Sequence, residues 1–377
     1  MDSVLIVAGE ASGEKYGAAL VREFRKLDPL CRFFGIGGKG MAGEGVEILC
    51  PAENLAVVGL AEILTQIPRI RKIFRRVLRE AEARRPRAAV LIDSPDFNLR
   101  LAKKLRRIGL PVLYYISPTV WAWRPGRLRT IARYVSRMML IFPFEEEIYK
   151  KRAIPAVYVG HPLREMIRRN LGRGQFLAKY GLDPARRIVT LLPGSRRSEI
   201  ERHMPILAET LPLISREIPV QWVLVLAEGL EREAVEKYLS GKHDDVLILD
   251  RDGYEAMASA DLVLSASGTA NLETALLETP LIVFYRVSPL SYAMGRRLLK
   301  ISRFSIVNIL AGKEIVPELI QGGFTADNLS AEALRILRSP EAAQRMKEEF
   351  RGIDGLLGNL QASQKAAKEL EKFVSRS

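Results

Sequence analysis

Cysteine and histidine are nearly absent: the 377 residues hold two of the first, Cys31 and Cys50, and three of the second, His161, His203 and His243. No CxxC pair starts a zinc site and the histidines lie too far apart for metal-ligand spacing, so no metal and no cofactor are expected. Sparse, unclustered thiols also fit a reducing, cytoplasmic setting. Long apolar runs are missing as well. Nothing approaches the roughly twenty apolar residues that cross a bilayer, and Asp2 stands where a signal peptide needs basic charge, so any membrane contact is expected to be peripheral. Acid is missing from particular places. Residues 97–144 contain no Asp or Glu against ten Lys and Arg, and the stretch between Glu278 and Glu314 has none against six. The net charge of +14 favours anionic partners, among which nucleic acid, phospholipid and phosphorylated substrates all qualify.

What is there is globular. Hydrophobic residues make up 48% and charged ones 27%, without the bias of a disordered or fibrous chain, and the length suits two domains better than one core. Short apolar runs alternate with amphipathic stretches, the α/β pattern that builds parallel sheets. Runs at 4–8, 32–36, 88–92, 111–116, 138–142 and 157–159 read as one sheet. The polar, basic stretch 164–186, with Gly172, Gly174, Gly181 and Pro184, reads as a linker, and a second strand-helix series begins at Ile188. The expected organisation is a lobe over 1–163, a linker over 164–186, a second lobe over 187–345, and C-terminal helices over 346–377 that cross back to the first lobe.

The first strand runs into Gly9-Glu10-Ala11-Ser12-Gly13-Glu14, a turn expected to open a helix over 15–27. Its glycines and Ser12 permit a ligand to approach the backbone, while Glu10 and Glu14 make the mouth acidic and disfavour phosphate. The cluster at 35–41, rich in glycine, lacks GxGxxG order and follows the second strand, which excludes a nicotinamide site. From 60 to 85, Ile63, Ile67, Ile70, Phe74 and Val77 recur at helical spacing beside nine Lys and Arg between Arg69 and Arg87. A solvated helix face and contact with an anionic membrane are both open readings. The strand at 88–92 ends in Asp93-Ser94-Pro95-Asp96. A carboxylate at such a strand end lies where open α/β sheets bind ligands, so Asp93 is a candidate functional group, whereas Asp96 reads as the cap of a helix from Phe97. Trp121 and Trp123 flank one alanine beside Arg124, where sugar packing, a lipid interface and loop plugging all stay open. His161 alone reads as a hydrogen-bonded loop residue.

In the second half, Leu192-Pro193-Gly194-Ser195-Arg196-Arg197-Ser198 ends a buried strand at a Pro-Gly turn. Ser195 to Ser198 can cap the next helix, placed near 204–217, and the mouth gathers N–H groups, a hydroxyl and guanidinium groups around a place that suits an anion. Ser265-Ala266-Ser267-Gly268-Thr269-Ala270-Asn271-Leu272-Glu273 repeats the arrangement. There Ser267 and Thr269 are alternative caps, and Glu273, one turn on, is within reach of a ribose hydroxyl. Two such mouths in one sheet can hold a diphosphate. Arg286 follows the strand at 281–285. Beyond it Leu290, Tyr292, Met294, Leu298, Leu299 and Ile301 form a second basic-apolar stretch.

In this order and spacing the pieces resemble the lipid A disaccharide synthase family, inverting glycosyltransferases of the two-lobed, Rossmann-like GT-B type, over nearly the whole chain. The matching residues are Ala8-Gly9-Glu10-Ala11-Ser12-Gly13, the cluster at 35–41, Val58-Gly59-Leu60, Pro95-Asp96-Phe97-Asn98, Tyr115-Ile116-Ser117-Pro118 and Val120-Trp121-Ala122-Trp123-Arg124. They continue with Val159-Gly160-His161-Pro162, Leu192-Pro193-Gly194-Ser195-Arg196, Ala266-Ser267-Gly268-Thr269-Ala270 and Asn308-Ile309-Leu310-Ala311-Gly312. Glu14 and Thr119 stand where the family usually has Asp and Ser.

The resemblance implies transfer of a sugar from UDP-2,3-diacylglucosamine to the 6-hydroxyl of 2,3-diacylglucosamine 1-phosphate, giving a β-1′,6-linked disaccharide phosphate and UDP without a metal. On that basis Asp93 is the general base, with Asp96 and His161 as alternatives, and Arg196 with the mouth from Ser267 to Thr269 stabilises the leaving diphosphate. Gly194, Ser195, Gly268 and Asn271 complete the donor site, Glu273 holds the ribose, and Arg286 a phosphate or the acceptor. Glu10, Ser12, Gly13, Asp96 and Asn308 are assigned to acceptor or sugar. The expected partners are the two substrates and, peripherally, the anionic inner face of the inner membrane. Nucleic acid is not expected, and a homodimer stays open. A lipid-linked muramyl-peptide transferase or a UDP-N-acetylglucosamine epimerase of the same architecture is the rival reading.

Overall fold

The computed structural model describes residues 2–55, 60–121, 124–239, 241, 245–288, 292, 303–358 and 361–375, leaving aside the side chains at 11 and 60–66. Val58-Gly59, Ala122-Trp123, the Ile63 side chain and the second basic-apolar stretch apart from Tyr292 therefore lie outside the described residues. The chain divides into two compact units, Met1–Glu165 with Leu357–Ser377, and Met166–Leu356.

In the first unit seven parallel strands, β1 (Ser3–Ala8), β2 (Arg32–Gly37), β3 (Val46–Pro51), β4 (Ala88–Ile92), β5 (Val112–Tyr115), β6 (Arg137–Leu140) and β7 (Ala156–Tyr158), lie in the order β3-β2-β1-β4-β5-β6-β7. The unbroken apolar runs explain the inner strands. Val4 to Val7 and Val90 to Ile92 are wholly buried, as strands covered on both faces must be. Ala8 pairs with Ile92, so β1 and β4 leave the sheet at the same level. Strand order reverses between them, which makes this gap the topological switch point where open α/β sheets hold ligands.

The second unit repeats the plan with β8 (Arg187–Leu192), β9 (Val220–Val225), β10 (Leu247–Leu249), β11 (Leu262–Ala266), β12 (Leu281–Tyr285) and β13 (Glu318–Ile320), all parallel in the order β10-β9-β8-β11-β12-β13. Leu192 pairs with Ser265, and the switch point falls between β8 and β11. Both units are thus doubly wound α/β sheets, the Rossmann-like form expected.

Several boundaries differ from expectation for local reasons. The first helix starts at Ala11 and runs to Leu27, so Ser12, Gly13 and Glu14 sit in its first turn. The helix Arg197–Ser215 begins directly after Arg196 and runs through Pro205 and Pro212, because Ile200, Met204, Leu207, Leu211 and Ile214 form one buried stripe that outweighs the prolines. Residues 164–186 are not an open linker. They hold the helix Arg173–Tyr180, which buries Phe176 and Leu177, and Arg173 pairs with Asp261 at 3.1 Å. The helix Pro340–Leu356 stays in the second unit, and the helix Ala362–Val374 belongs to the first, where it lies against the helix Ala11–Leu27.

Among the described residues no helix is long and apolar enough to cross a membrane. In the helix Leu60–Arg84, Ile73, Val77 and Ala81 are buried in the first unit's core and Phe74 meets Phe97 edge-on at 5.5 Å, while Arg69, Arg71, Lys72, Arg75, Arg76 and Arg79 are exposed. Phe74 is therefore spent on the core, and the exposed side chains between Arg69 and Arg79 are all basic.

Candidate active site

At the first switch point the backbone is strained. Asp93 and Ser94, immediately after β4, have φ of 47° and 42°. Two successive non-glycine residues in the left-handed region cost on the order of 1–3 kcal/mol each unless their surroundings hold them. Asn98, on the buried face of the helix Pro95–Arg107, donates from Nδ2 to the carbonyls of Ile92 at 3.0 Å and Asp93 at 2.9 Å, and the Tyr114 hydroxyl on β5 donates to the Asp93 carbonyl too. The loop after β1 comes so near that a Cβ on Gly9 would meet the Ser94 Cβ at 2.9 Å. Only glycine fits there.

This corner sets the chemistry of Asp93. Burial, and then the Glu10 carboxylate, push its pKa up to about 7, against the Ser94 backbone N–H and the Arg127 guanidinium. A carboxyl poised near neutrality is what a general base needs. Glu14, in contrast, is tied to a neighbouring segment. Its Oε1 accepts the Met41 N–H at 2.7 Å, so the glycine-rich turn around Gly40 serves this internal bond.

The neighbouring candidates separate. Asp96 is no cap, since the helix already starts at Pro95; it is exposed and takes hydrogen bonds from Arg124 at 3.1 Å and Arg127 at 3.0 Å. Ser12 is half-buried, and Gly13 is buried against Ile92. His161 is a poor base. Its Nδ1 accepts the Leu163 N–H at 3.2 Å, its ring sits against Phe142 and Tyr16, and burial pushes its pKa down to about 3.

At the second switch point the two mouths differ. The open anion site expected at Gly194 is not there, because Glu199 fills it. Its carboxylate accepts the N–H groups of Ser195 at 2.9 Å and Arg196 at 3.3 Å, the Tyr285 hydroxyl at 2.9 Å and the Arg196 guanidinium at 3.4 Å. The cap is this carboxylate and not a serine. Gly194 makes room for it: its φ is 132°, and a Cβ would meet the Glu199 Cβ at 2.7 Å. The half-exposed Arg196 side chain borders this loop.

The mouth after β11 is open. Neither Ser267 nor Thr269 caps the helix Thr269–Leu276. Asn271, fully buried, does so from inside, accepting the Gly268 N–H at 2.9 Å and donating to Ser265 Oγ at 3.0 Å and the Ala266 carbonyl at 3.2 Å. Asn271 therefore builds the mouth and is not available to a donor. Gly268 and Thr269 are exposed at a helix start whose first N–H groups lack intrahelical acceptors and carry partial positive charge.

Glu273 is half-buried and accepts the Tyr254 hydroxyl at 3.3 Å. Arg286 donates to the carbonyls of Gln321 at 3.2 Å and Phe324 at 2.9 Å and lies over the Phe324 ring, 5.9 Å from its centroid. Asn308 is turned inward. It is wholly buried, with Nδ2 bonded to the Val316 carbonyl and Glu318, and Oδ1 to the N–H groups of Ile315 and Val316. Because β8, β11 and β12 are adjacent, Arg196, the open mouth and Arg286 occupy three neighbouring strand ends.

A sequence model of lipid-A-disaccharide synthetases matches residues 4–372. The lipid-A-disaccharide synthase of Geobacter sulfurreducens is 42% identical over 365 residues, 97% of this chain and 95% of that protein. The chain belongs to the lipid-A-disaccharide synthase family. Solved structures share its GT-B fold at low identity. The UDP-GlcNAc 2-epimerase from Neisseria meningitidis, bound to UDP-GlcNAc, has a TM-score of 0.68 at 14% identity and covers 99% of this chain and 100% of its own. CalG4, the calicheamicin glycosyltransferase, has 0.62 at 13%, with 100% and 99% covered. Fold alone does not part transferase from epimerase; the sequence relatives do.

The chain also carries residues around these switch points that its sequence did not announce as such. Asn98 and Tyr114 hold the Asp93 corner, and Glu199, Tyr285 and His203 line the inner side of the Gly194 loop. Glu199 had a usable signal, a glutamate three residues after the helix N-cap, and Asn98 stood in the Pro95-Asp96-Phe97-Asn98 piece of the resemblance.

Proposed function

We propose that the chain joins UDP-2,3-diacylglucosamine to 2,3-diacylglucosamine 1-phosphate, with Asp93 as the general base. The Asp93 carboxylate takes the proton of the acceptor 6-hydroxyl as that oxygen attacks the anomeric carbon of the donor. The bond from this carbon to the diphosphate oxygen breaks, its electron pair leaves with UDP, and inversion gives the β-1′,6 linkage. The N–H groups from Thr269 onward, Arg196 and Arg286 meet the charge that grows on the diphosphate, work that some transferases give to a metal. Glu273 takes the ribose hydroxyls, and Glu10, Ser12 and Asp96 the acceptor. The exposed basic face of the helix Leu60–Arg84 suits peripheral docking on an anionic leaflet, where acylated substrates reside.

The observation that carries this reading is the strained, desolvated Asp93 at a switch point, in a chain of this family. The test is UDP release from UDP-2,3-diacylglucosamine in detergent with a chelator present. Release that depends on the acylated sugar 1-phosphate and yields a disaccharide supports it. Release without acceptor, or an epimerised sugar as product, would overturn it, and abolition by chelator would overturn the metal-free step.

A further inference from the structure

His203 is wholly buried, one helical turn beyond Glu199 on the same face of the helix Arg197–Ser215. Its Nε2 lies 3.1 Å from the backbone nitrogen of Arg286, and its Nδ1 lies 2.7 Å from the Pro193 carbonyl oxygen. A backbone N–H only donates, so Nε2 must be the accepting nitrogen and Nδ1 carries the proton. Burial lowers the affinity of the ring for a second proton. Phe284 and Phe324 meet it edge-on at 5.3 and 5.7 Å, and Tyr285 lies tilted at 5.5 Å, which fixes the ring plane.

Glu199 makes a parallel pair of contacts. On one side it holds the N–H groups of Ser195 and Arg196, and on the other the hydroxyl of Tyr285. Each side chain thus ties the loop after β8 to the end of β12. Between those two strands lies β11, and strand spacing of about 4.8 Å separates the tied ends by roughly 10 Å. A ring that only filled the core would need neither bond. Here both nitrogens are committed, and their partners are the loop that carries Arg196 and the backbone of Arg286 itself.

We propose that His203, acting with Glu199, is a positioning residue of the donor site, clamping the Gly194 loop to the end of β12 so that Arg196 and Arg286 flank the open mouth at a fixed separation. This rests on the reading of that mouth as the seat of the UDP diphosphate. Two cations held in advance at the right spacing spare the ligand the cost of ordering them.

The two bonds can be cut one at a time in the full-length protein. In His203→Asn the amide nitrogen takes the place of Nδ1 and the acceptor for Arg286 is lost; in His203→Gln the amide oxygen takes the place of Nε2 and the donor to Pro193 is lost. Calorimetric titration with UDP is expected to show at least a fivefold weakening in each, with KM for the acceptor within twofold of wild type. Both variants binding UDP as wild type does, whatever their Tm, would overturn the clamp. Wild-type protein labelled with 15N-histidine tests it independently of variant folding, since only three histidines contribute signals. Its His203 ring should report the neutral Nδ1–H form and shift when UDP binds, and a ring signal unmoved at saturating UDP would overturn the proposal. Wild-type protein that bound no UDP would sink the donor-site reading, and the clamp with it.

Discussion

Glu10 raises the proton affinity of Asp93, carboxylate against carboxylate at the ends of two neighbouring strands. A base must be ionised to act, so kcat/KM should rise with pH through about 7. Glu10→Gln removes the repulsion and should move this acid limb to lower pH, while Arg127→Met removes a cation that favours the charged form and should move it up. pH-rate profiles of the three proteins decide the matter; an unmoved limb in both variants would detach the profile from Asp93.

Asp93→Asn should lower kcat by about 10²–10⁴-fold, the usual range for loss of a general base, and leave UDP affinity within twofold. Its effect on stability has the opposite sense. The folded pKa of about 7 lies above the ordinary 3.8, so the native state holds this proton more tightly than the unfolded chain. The resulting stability is fully present below about pH 4 and lost as pH rises to about 7. The variant should therefore melt above wild type at pH 8, with the gap closing towards pH 4. A lower Tm at pH 8 would contradict the shift.

Gly268→Ala separates fold from ligand. The residue is exposed, its φ of 174° is ordinary extended backbone, and a Cβ there meets nothing within 4 Å. Tm should stay within a degree or two, while a diphosphate seated on the helix start would meet the new methyl and UDP affinity should fall at least tenfold. Unchanged affinity would move the phosphate elsewhere.

Asn308→Ala should act on stability alone. It strands the N–H groups of Ile315 and Val316 inside the second unit, at about 1–3 kcal/mol for each buried group left unpaired. Protein that folds should keep both KM values near wild type. A rise in KM without loss of Tm would return Asn308 to the site.

The fold was legible because buried parallel strands write themselves as unbroken apolar runs, as at β1, β4, β8 and β11, and because the glycine, serine and aspartate punctuation after each marks a strand end. Asp93 could be singled out on that ground. Its left-handed backbone could not, since Asn98 and Tyr114 act on it from a helix and another strand. The mouth at Gly194 misled for a related reason. Counting N–H groups shows where an anion fits, but here the anion is Glu199, five residues along the same chain. Asn271 and Asn308 show the converse: motif residues beside a ligand site whose side chains turn inward and hold the loops.

The helix Ala362–Val374 belongs to a unit made of Met1–Glu165 and Leu357–Ser377. On the ribosome, the portion made first must therefore wait for the portion made last. Until then the helix Ala11–Leu27 lacks the neighbour that supplies Ala366, Ala367, Leu370 and Val374, and apolar surface stays uncovered while the second unit is synthesised and folds. At about 5–20 residues per second that interval is on the order of ten seconds or more, long enough for a chaperone to be the first partner this chain meets.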